Sequence, residues 1–551
     1  MKVLIVYPEL QSFSHKALGV SILSGVLKKE GHEFRLFDSS LYDQKKVLPA
    51  GAMGKENLSL PYWFKKSRKP IPMPATRHMD VVDAFNRRLD EFEPDVILVS
   101  STYLSHQIGI NLIRKSAAKD ALVIYGGVHC TLVPEDAISY GNITYMHRGE
   151  GEVSLPLILN QIKGNVPLTE CQNLWIKKDN GDVVKNEMVE MIQNLDELPF
   201  MDWDNYEDHH YLRLYEGTVY RMGDFSTSRG CVNRCSYCFN QLLYDAYETK
   251  KRPIRRYSVE RAIEELVYLK DRYKIDFIKF HDSDFLNKST AYFDKFSSLY
   301  KRHVDLPNTV NGCVEHITDQ KVKFLVKMNC RSIAIGLESG NETLRKQVLN
   351  RGQYTNRTFI ENLKKLDIHG IRSSVPCMLG LPGESRKDMR ETIAVAKKAK
   401  VGHADFCIFF PFPKLPLTEY AISKGQLHKD QKLDHVRFGV ESALTLEDMT
   451  HTELRNILRC TMLYLKLPYL LWPLIRWVEK HNTDDSFMWH LLRKIYFMKT
   501  QYLSISPFLR ERRRSAVLKS LCSDFPMEAV PLDGEAMQLS RPVDDVTVGA
   551  N

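Results

Sequence analysis

The chain has no window of about 18 uninterrupted apolar residues, the length that a membrane-spanning helix needs. The nearest run, Leu463 to Val478, is broken by Lys466, Pro468, Pro473 and Arg476. It reads either as a buried helical hairpin or as an apolar, basic-rimmed surface for peripheral membrane contact or a lipid-like substrate. No signal peptide opens the sequence, since Met1 is followed at once by the strand-like Val3-Leu4-Ile5-Val6. The 11 cysteines are odd in number and scattered, which argues against a disulfide framework. These absences predict a cytoplasmic protein, membrane-associated at most through its surface, that uses cysteine as ligand or core filler. Charge is not extreme either: +9 at pH 7 suits a solvated basic surface. No RNA-binding domain accompanies the short basic run Arg510–Arg514, so nucleic acid is not an expected partner.

At roughly 100–200 residues per domain, 551 residues allow several domains. Over residues 1–155 short apolar runs alternate with amphipathic stretches, the pattern of an open α/β domain with a parallel sheet. Strands are expected at Val3–Tyr7, His32–Phe37, Asp95–Ser100 and Ala121–Gly126, with a helix over Leu18–Gly31. A stretch rich in Lys, Pro and Gly from Leu41 to about Arg77 reads as an insertion. Residues 156–220 read as a linker carrying a small hairpin, Gln172–Lys178 and Asp182–Asn186. A second α/β series spans 221–440, with strands at Phe225–Ser228, Asp276–His281, Thr309–Cys313, Ser332–Gly336, Ile371–Met378 and Asp405–Phe410. Helices over Ser258–Tyr273 and Lys387–Lys400 are the clearest of those between them. Repeated strand-then-helix units suggest a partial (β/α)6 barrel with its chemistry at the carboxyl ends of the strands. Residues 441–525 read as helical, aromatic and basic, and 526–551 as a disordered tail.

The decisive segment is Gly230-Cys231-Val232-Asn233-Arg234-Cys235-Ser236-Tyr237-Cys238. Three thiolates at C-x3-C-x2-C on a loop after a strand can hold three corners of a [4Fe–4S] cubane and leave the fourth iron open. An open iron can chelate the amino and carboxylate groups of a methionine-like ligand, set its sulfonium beside the cluster for one-electron reduction, and so release a 5′-deoxyadenosyl radical. Tyr237 can pack on an adenine, and Gly230 permits the sharp entry to the loop. A zinc site would close with a fourth Cys or His, and no partner at ligand spacing is evident. The segment resembles the signature of the radical S-adenosylmethionine superfamily, and the resemblance covers about Asp224 to Phe412. It implies a [4Fe–4S] cluster on Cys231, Cys235 and Cys238, S-adenosylmethionine as cofactor, and an external one-electron reductant of flavodoxin or ferredoxin type.

Asp282 and Asp284, after the second barrel strand, can orient cofactor or substrate, or simply cap a helix. Gly336-Leu337-Glu338-Ser339-Gly340 resembles the superfamily stretch that contacts the amino end and ribose of S-adenosylmethionine, which marks Glu338 and Ser339. A plain turn is the alternative. Leu379-Gly380-Leu381-Pro382-Gly383-Glu384 reads as a structural loop. After Pro411-Phe412-Pro413 the family's Gly-Thr is replaced by Lys414-Leu415, so no role transfers there. Cys377 and Cys407 are read as core cysteines, with a catalytic thiol as the alternative; the catalytic residues stay unassigned.

In the first domain Ser100-Ser101-Thr102, Gly126-Gly127-Val128-His129 and Gly149-Glu150-Gly151-Glu152 all fall at or just after strand ends, where open parallel sheets bind ligands. Paired glycines admit a flat ligand to the backbone. In order and composition these segments resemble the cobalamin-binding domain of cobalamin-dependent radical S-adenosylmethionine enzymes, implying a site built from Ser100, Ser101, Thr102, Gly126, Gly127, His129 and Glu150. The Asp-x-His-x-x-Gly motif that supplies a lower cobalt ligand in many cobalamin proteins is absent; His15 sits four residues before Gly19, not three. Together the resemblances imply a methyltransferase for an unactivated carbon or phosphorus centre of a small-molecule or lipid-like substrate, the methyl group coming from methylcobalamin. An oxidative cyclase of the porphyrin-ester type and a non-catalytic cobalamin-binding redox sensor are the alternatives.

Overall fold

The computed structural model describes residues 1–10, 16–48, 79–216, 218–248, 254–431, 433, 439, 441–481 and 487–497. Most of the Lys- and Pro-rich insertion, His15, the Arg510–Arg514 run and the 526–551 tail therefore lie outside the described residues.

The first sheet has seven strands in the order β2-β1-β3-β4-β5-β6-β7. Strands β1 (Lys2–Tyr7), β2 (Glu33–Asp38), β3 (Val96–Ser100), β4 (Val123–Gly126) and β5 (Tyr145–His147) run parallel. Their β-branched runs are covered on both faces, as the buried Val3, Leu4, Ile5 and Val6 show. Helices Leu18–Lys29 and Val81–Phe92 are among those that flank them, the latter started by Asp80, whose carboxylate accepts from Val82 N at 2.9 Å. The hairpin β6 (Leu174–Lys177) and β7 (Val183–Lys185) is not a linker ornament: β6 pairs antiparallel with β5 and widens the sheet. Beyond it the chain threads between the two halves. Trp203 is 1% exposed, and the buried Lys16 ammonium lies 4.1 Å from the Tyr211 ring centre and 3.4 Å from Asp224.

The second sheet is open and curled, in the order β16-β15-β14-β13-β12-β9-β8. Strand β8 (Leu212–Tyr215) pairs antiparallel with β9 (Thr218–Phe225), while Ser228–Arg229 (β10) and Arg255–Arg256 (β11) make a separate small ladder. Strands β12 (Phe277–Phe280), β13 (Asn308–Gly312), β14 (Cys330–Ile335), β15 (Arg372–Leu379) and β16 (His403–Ile408) continue parallel to β9. The partial six-strand parallel barrel is thus present, with one added edge strand. Its first strand lies earlier than the expected Phe225–Ser228, because the chain leaves the sheet at Phe225: Ser226 Oγ donates to Ser228 O at 2.8 Å, and Ser228 pairs with Arg256. Helices Val259–Tyr273 and Arg386–Lys398 start on Ser258 and on a Ser385/Asp388 capping box.

The aromatic C-terminal run folds as helix Thr450-capped His451–Lys466, a short turn, and helix Trp472–Lys480, followed by Phe487–Phe497. Of the crowded apolar side chains, Tyr464, Leu465, Leu467, Trp472, Ile475 and Val478 are buried. Glu479, 1% exposed, receives Arg390 at 3.0 Å and the Tyr464 hydroxyl at 2.7 Å, which fastens this hairpin to Arg386–Lys398. The buried-hairpin reading accounts for these side chains, while Tyr469, Leu470 and Trp477 stay exposed. No described helix is long and apolar enough to cross a membrane.

Candidate active site between two sheets

The carboxyl ends of β3, β4 and β5 face the loops of the second sheet across a cleft of about 560 Å³. Ser100, Ser101, Thr102, Gly126, Gly127, Glu150 and Glu152 line it from one side; Phe225, Arg229, Phe239, Asn240 and Tyr257 line it from the other. Arg229, Phe239 and Asn240 bracket the cysteine loop, so the cleft runs from the glycine pair to the thiols' own segment.

The glycine pair splits into two jobs. Gly127 has φ +98°, and a Cβ there would stand 2.4 Å from Ser101 O, so it lets the β4 turn press against the β3 turn. Gly126 is different: a Cβ would meet nothing nearer than His147 Cβ at 3.7 Å, leaving its face open to the cleft. A flat macrocycle can approach the backbone at Gly126, and this open backbone inside the cleft fits a corrin.

Several predicted contacts are turned to architecture instead. Ser101, 3% exposed, bonds to His106 Nδ1 at 2.8 Å. His129 does not line the cleft; it is 3% exposed, 3.0 Å from Asp136 and packed on the rings of Tyr103 and His106, because the helix Val128–Leu132 swings it under the β3 turn and presents Val128 instead. Thr102 bonds to Ser105. Glu150 lines the cleft, but its oxygens are taken by Arg229 at 2.9 Å, Arg255 at 2.7 and 2.8 Å, and Ile192 N at 3.0 Å. Burial alone would raise its pKa, yet Arg255 and Arg229 hold it below the ordinary carboxylate range. Glu152 takes the other arm of Arg229 at 2.6 Å. The Gly-Glu-Gly-Glu segment therefore forms an ion-pair latch onto Arg229, the residue before Gly230, while still lining the cleft. Phe412, which meets the rings of Phe239 and Tyr103 edge to face, and Lys414, which pairs with Glu135 at 2.5 Å, add a second tie between the halves. That tie gives a local reason for Lys414 where the resemblance failed.

The cysteine loop leaves Arg229 through Gly230 at φ +100°. Tyr244 Oη is 3.0 Å from Cys231 N, Cys238 N donates to Cys235 O at 3.1 Å, and Ser236 N donates to Leu349 O at 3.0 Å. Among the described residues, the group of three metal-capable side chains whose donor atoms all lie within 4.8 Å of one another is Asp284, Cys313 and His316. The motif thiols are thus spread wider than the about 3.8 Å between sulfurs that a tetrahedral zinc site at Zn–S of about 2.3 Å requires. Asp284 and His316 already bond to each other at 2.5 Å, and the Cys313 sulfur receives Asn233 and Arg351, so that trio is closed on itself.

Glu338 follows β14 with φ +62°, a conformation that costs a non-glycine residue about 1–2 kcal/mol and marks a site held by its surroundings. Its side chain folds over Gly336, where a Cβ would collide with it. Burial raises its pKa, with Arg351 and Tyr237 opposing. Tyr237, Cys235 and Cys238 all sense its charge, so Glu338 and Tyr237 flank the thiols. Ser339 does not join them: it is fully buried, its hydroxyl accepting from Asn341 N and its carbonyl from Arg345. Asp282 is likewise fully buried, its oxygens receiving Thr227 N and Oγ1, Ser228 Oγ and Lys288 Nζ at 2.5–3.0 Å. It holds the chain that enters the cysteine loop, and no oxygen is left for a cofactor. Cys377 is buried, and burial pushes the Cys407 thiol up to about 12, far from a reactive thiolate.

The sequence reading missed the aromatic wall of Phe225, Phe239 and Tyr257, and His147, which lines the cleft 2.7 Å from Ser154 Oγ with its pKa lowered by burial to about 4. It also missed Arg351. Nothing in spacing marks such residues, since loops far apart in sequence deliver them.

Residues 225–396 match the model of the radical SAM superfamily. The chain is 28% identical to an uncharacterised methyltransferase of Pyrococcus horikoshii over 62% of its length and 72% of that protein's. It is 23% identical to the cytidylyl-2-hydroxyethylphosphonate methyltransferase of Streptomyces wedmorensis over 78% and 84%. The radical S-adenosylmethionine methyltransferase TsrM from Kitasatospora setae, solved with cobalamin and a [4Fe–4S] cluster, superposes with a TM-score of 0.59 at 15% identity, over 95% and 99% of the two chains. Residues 225–396 are thus the segment that matches the radical SAM superfamily, and the chain shares its two-sheet fold with that cobalamin-bound methyltransferase.

Proposed function

We propose that the protein is a cobalamin-dependent radical SAM methyltransferase acting on an unactivated carbon or phosphorus centre of a small molecule. The observation that carries the reading is the single cleft bounded by Gly126 on one side and by the flanks of the Cys231–Cys238 loop on the other. A cluster on the loop would supply the electron that cleaves S-adenosylmethionine, and cobalamin on the first sheet would carry the methyl group. In this reading Cys231, Cys235 and Cys238 hold the cluster, and Tyr237 and Glu338 orient the adenosine and amino ends of S-adenosylmethionine. Ser100 and the open backbone at Gly126 seat the corrin, Gly127 holds the turn behind them, and the apolar walls Phe225, Phe239 and Tyr257 keep water from a radical. Glu150 and Glu152 fix the distance between the two halves through Arg229. A flavodoxin or ferredoxin would deliver the electron. The methyltransferase reading is favoured over ring closure because two relatives named as methyltransferases are matched over 72% and 84% of their own length, against 54% and 57% for two porphyrin-ester cyclases.

The test is anaerobic reconstitution with iron, sulfide, cobalamin and a low-potential reductant, followed by mass analysis of products from small carbon and phosphinate substrates. Gain of one methyl group with 5′-deoxyadenosine is expected. Loss of hydrogen without methyl gain would favour the cyclase, and no cleavage of S-adenosylmethionine would favour the sensor.

A further inference from the structure

Arg351 is the feature of this site that neither the motif nor the fold explains. It is 5% exposed, and within the described residues its guanidinium makes no ion pair with a carboxylate; its side-chain hydrogen bond goes to the Cys313 sulfur at 3.4 Å. A buried guanidinium with no carboxylate in contact is costly, and Glu338 acts on it only at longer range. The three residues before it are fastened to the cysteine loop. Val348 O accepts from Ser236 Oγ at 2.7 Å, Leu349 O from Ser236 N at 3.0 Å, and Asn350 Nδ2 donates to Arg234 O at 2.9 Å. Asn233, inside the loop, shares the Cys313 sulfur with Arg351 at 3.2 Å. The segment thus carries a fixed positive charge to the back of the loop.

We propose that Arg351 is the built-in counter-charge of the iron–sulfur cluster and sets its reduction potential. Reduction brings one electron from the external low-potential donor onto the cluster and adds one negative charge, with no proton or bond exchanged. Net charge near a cluster is one of the levers on its potential, and a desolvated guanidinium favours the more negative state. Arg351 is here a positioning residue that acts through the cluster, and the inference rests on the cluster assignment above.

The experiment is a potentiometric titration followed by electron paramagnetic resonance on reconstituted full-length protein, without S-adenosylmethionine, for the wild type, Arg351→Gln and Arg351→Lys. The glutamine variant should be about tenfold or more harder to reduce, which is 59 mV for one electron, and the lysine variant should lie close to the wild type. An unchanged midpoint in Arg351→Gln, with weaker binding of S-adenosylmethionine, would overturn the inference and assign the guanidinium to that ligand. If the glutamine variant retains no cluster, a lysine variant that loads and titrates like the wild type supports the charge; a lysine variant that also fails shows that shape alone is required and overturns it. A wild type with no iron–sulfur signal would sink the cluster reading itself, which separates the two failures.

Discussion

The two rims of the cleft are built on opposite plans. On the barrel rim, the proposed chemistry falls to side chains: Cys231, Cys235, Cys238 and Tyr237 on a loop, and Glu338 just past a strand end. On the first-sheet rim the motif side chains are spent on structure. Ser101 bonds to His106, His129 packs beneath the β3 turn, and Glu150 and Glu152 clasp Arg229, while the open face is the backbone at Gly126. A loop that must chelate has to present donors, whereas a cradle for a large flat ligand needs an absence of side chain. The residues flanking such an absence then serve to hold it open.

The largest effect should fall on the barrel rim. Replacing Cys231, Cys235 or Cys238 by alanine should abolish the visible absorbance of the cluster and the formation of 5′-deoxyadenosine, with cobalamin binding retained. Loss of cobalamin in the same variants would erase the contrast between the rims.

On the first-sheet rim, Gly127→Ala should cost stability rather than chemistry. With Ser101 backbone 2.4 Å from the new methyl and φ at +98°, we expect a loss of about 4 kcal/mol in denaturant unfolding. A stable Gly127→Ala protein would show that the two turns are not locked together.

The Glu150→Gln change removes one carboxylate from the latch and should destabilise by about 3 kcal/mol, with activity lost through separation of the halves. It also has a pH signature. The folded pKa of Glu150 is depressed, so its contribution is present above the ordinary carboxylate pKa and is lost as pH falls through the lower folded value. Wild-type stability should therefore fall more steeply on the acid side than that of Glu150→Gln, and parallel acid limbs would place the latch's strength elsewhere.

The smallest effect is expected for Ser101→Ala. It deletes the bond to His106, worth about 1 kcal/mol, and should leave the cobalamin spectrum unaltered. A shifted spectrum would return Ser101 to the ligand.

Periodicity exposed both sheets because parallel strands covered on two faces are continuous apolar runs, as at Val3–Val6. It failed where the signal is polar. Strand β8, Leu-Arg-Leu-Tyr, lies half-buried at an edge, and Phe225–Ser228 was placed too late because the end of a strand and the start of a cysteine loop look alike without the Ser226 and Ser228 bonds. The cysteine loop was legible because chelation demands a fixed local spacing. Arg351 and Arg229 were not, since their partners stand 38 and 79 residues away. Asp282 is marked by its place after a strand, and Ser339 and His129 by the resemblance of their segments, yet whether a side chain there faces the cleft depends on neighbours that the local sequence does not contain.

The central claim, that cobalamin rests on bare backbone while the cluster rests on side chains, is tested most directly by Gly126→Leu. Cobalamin bound and iron bound would be counted in the same reconstituted samples, with circular dichroism as the check on folding. The account predicts that cobalamin is lost while iron content and helix content match the wild type; equal cobalamin in variant and wild type would contradict it.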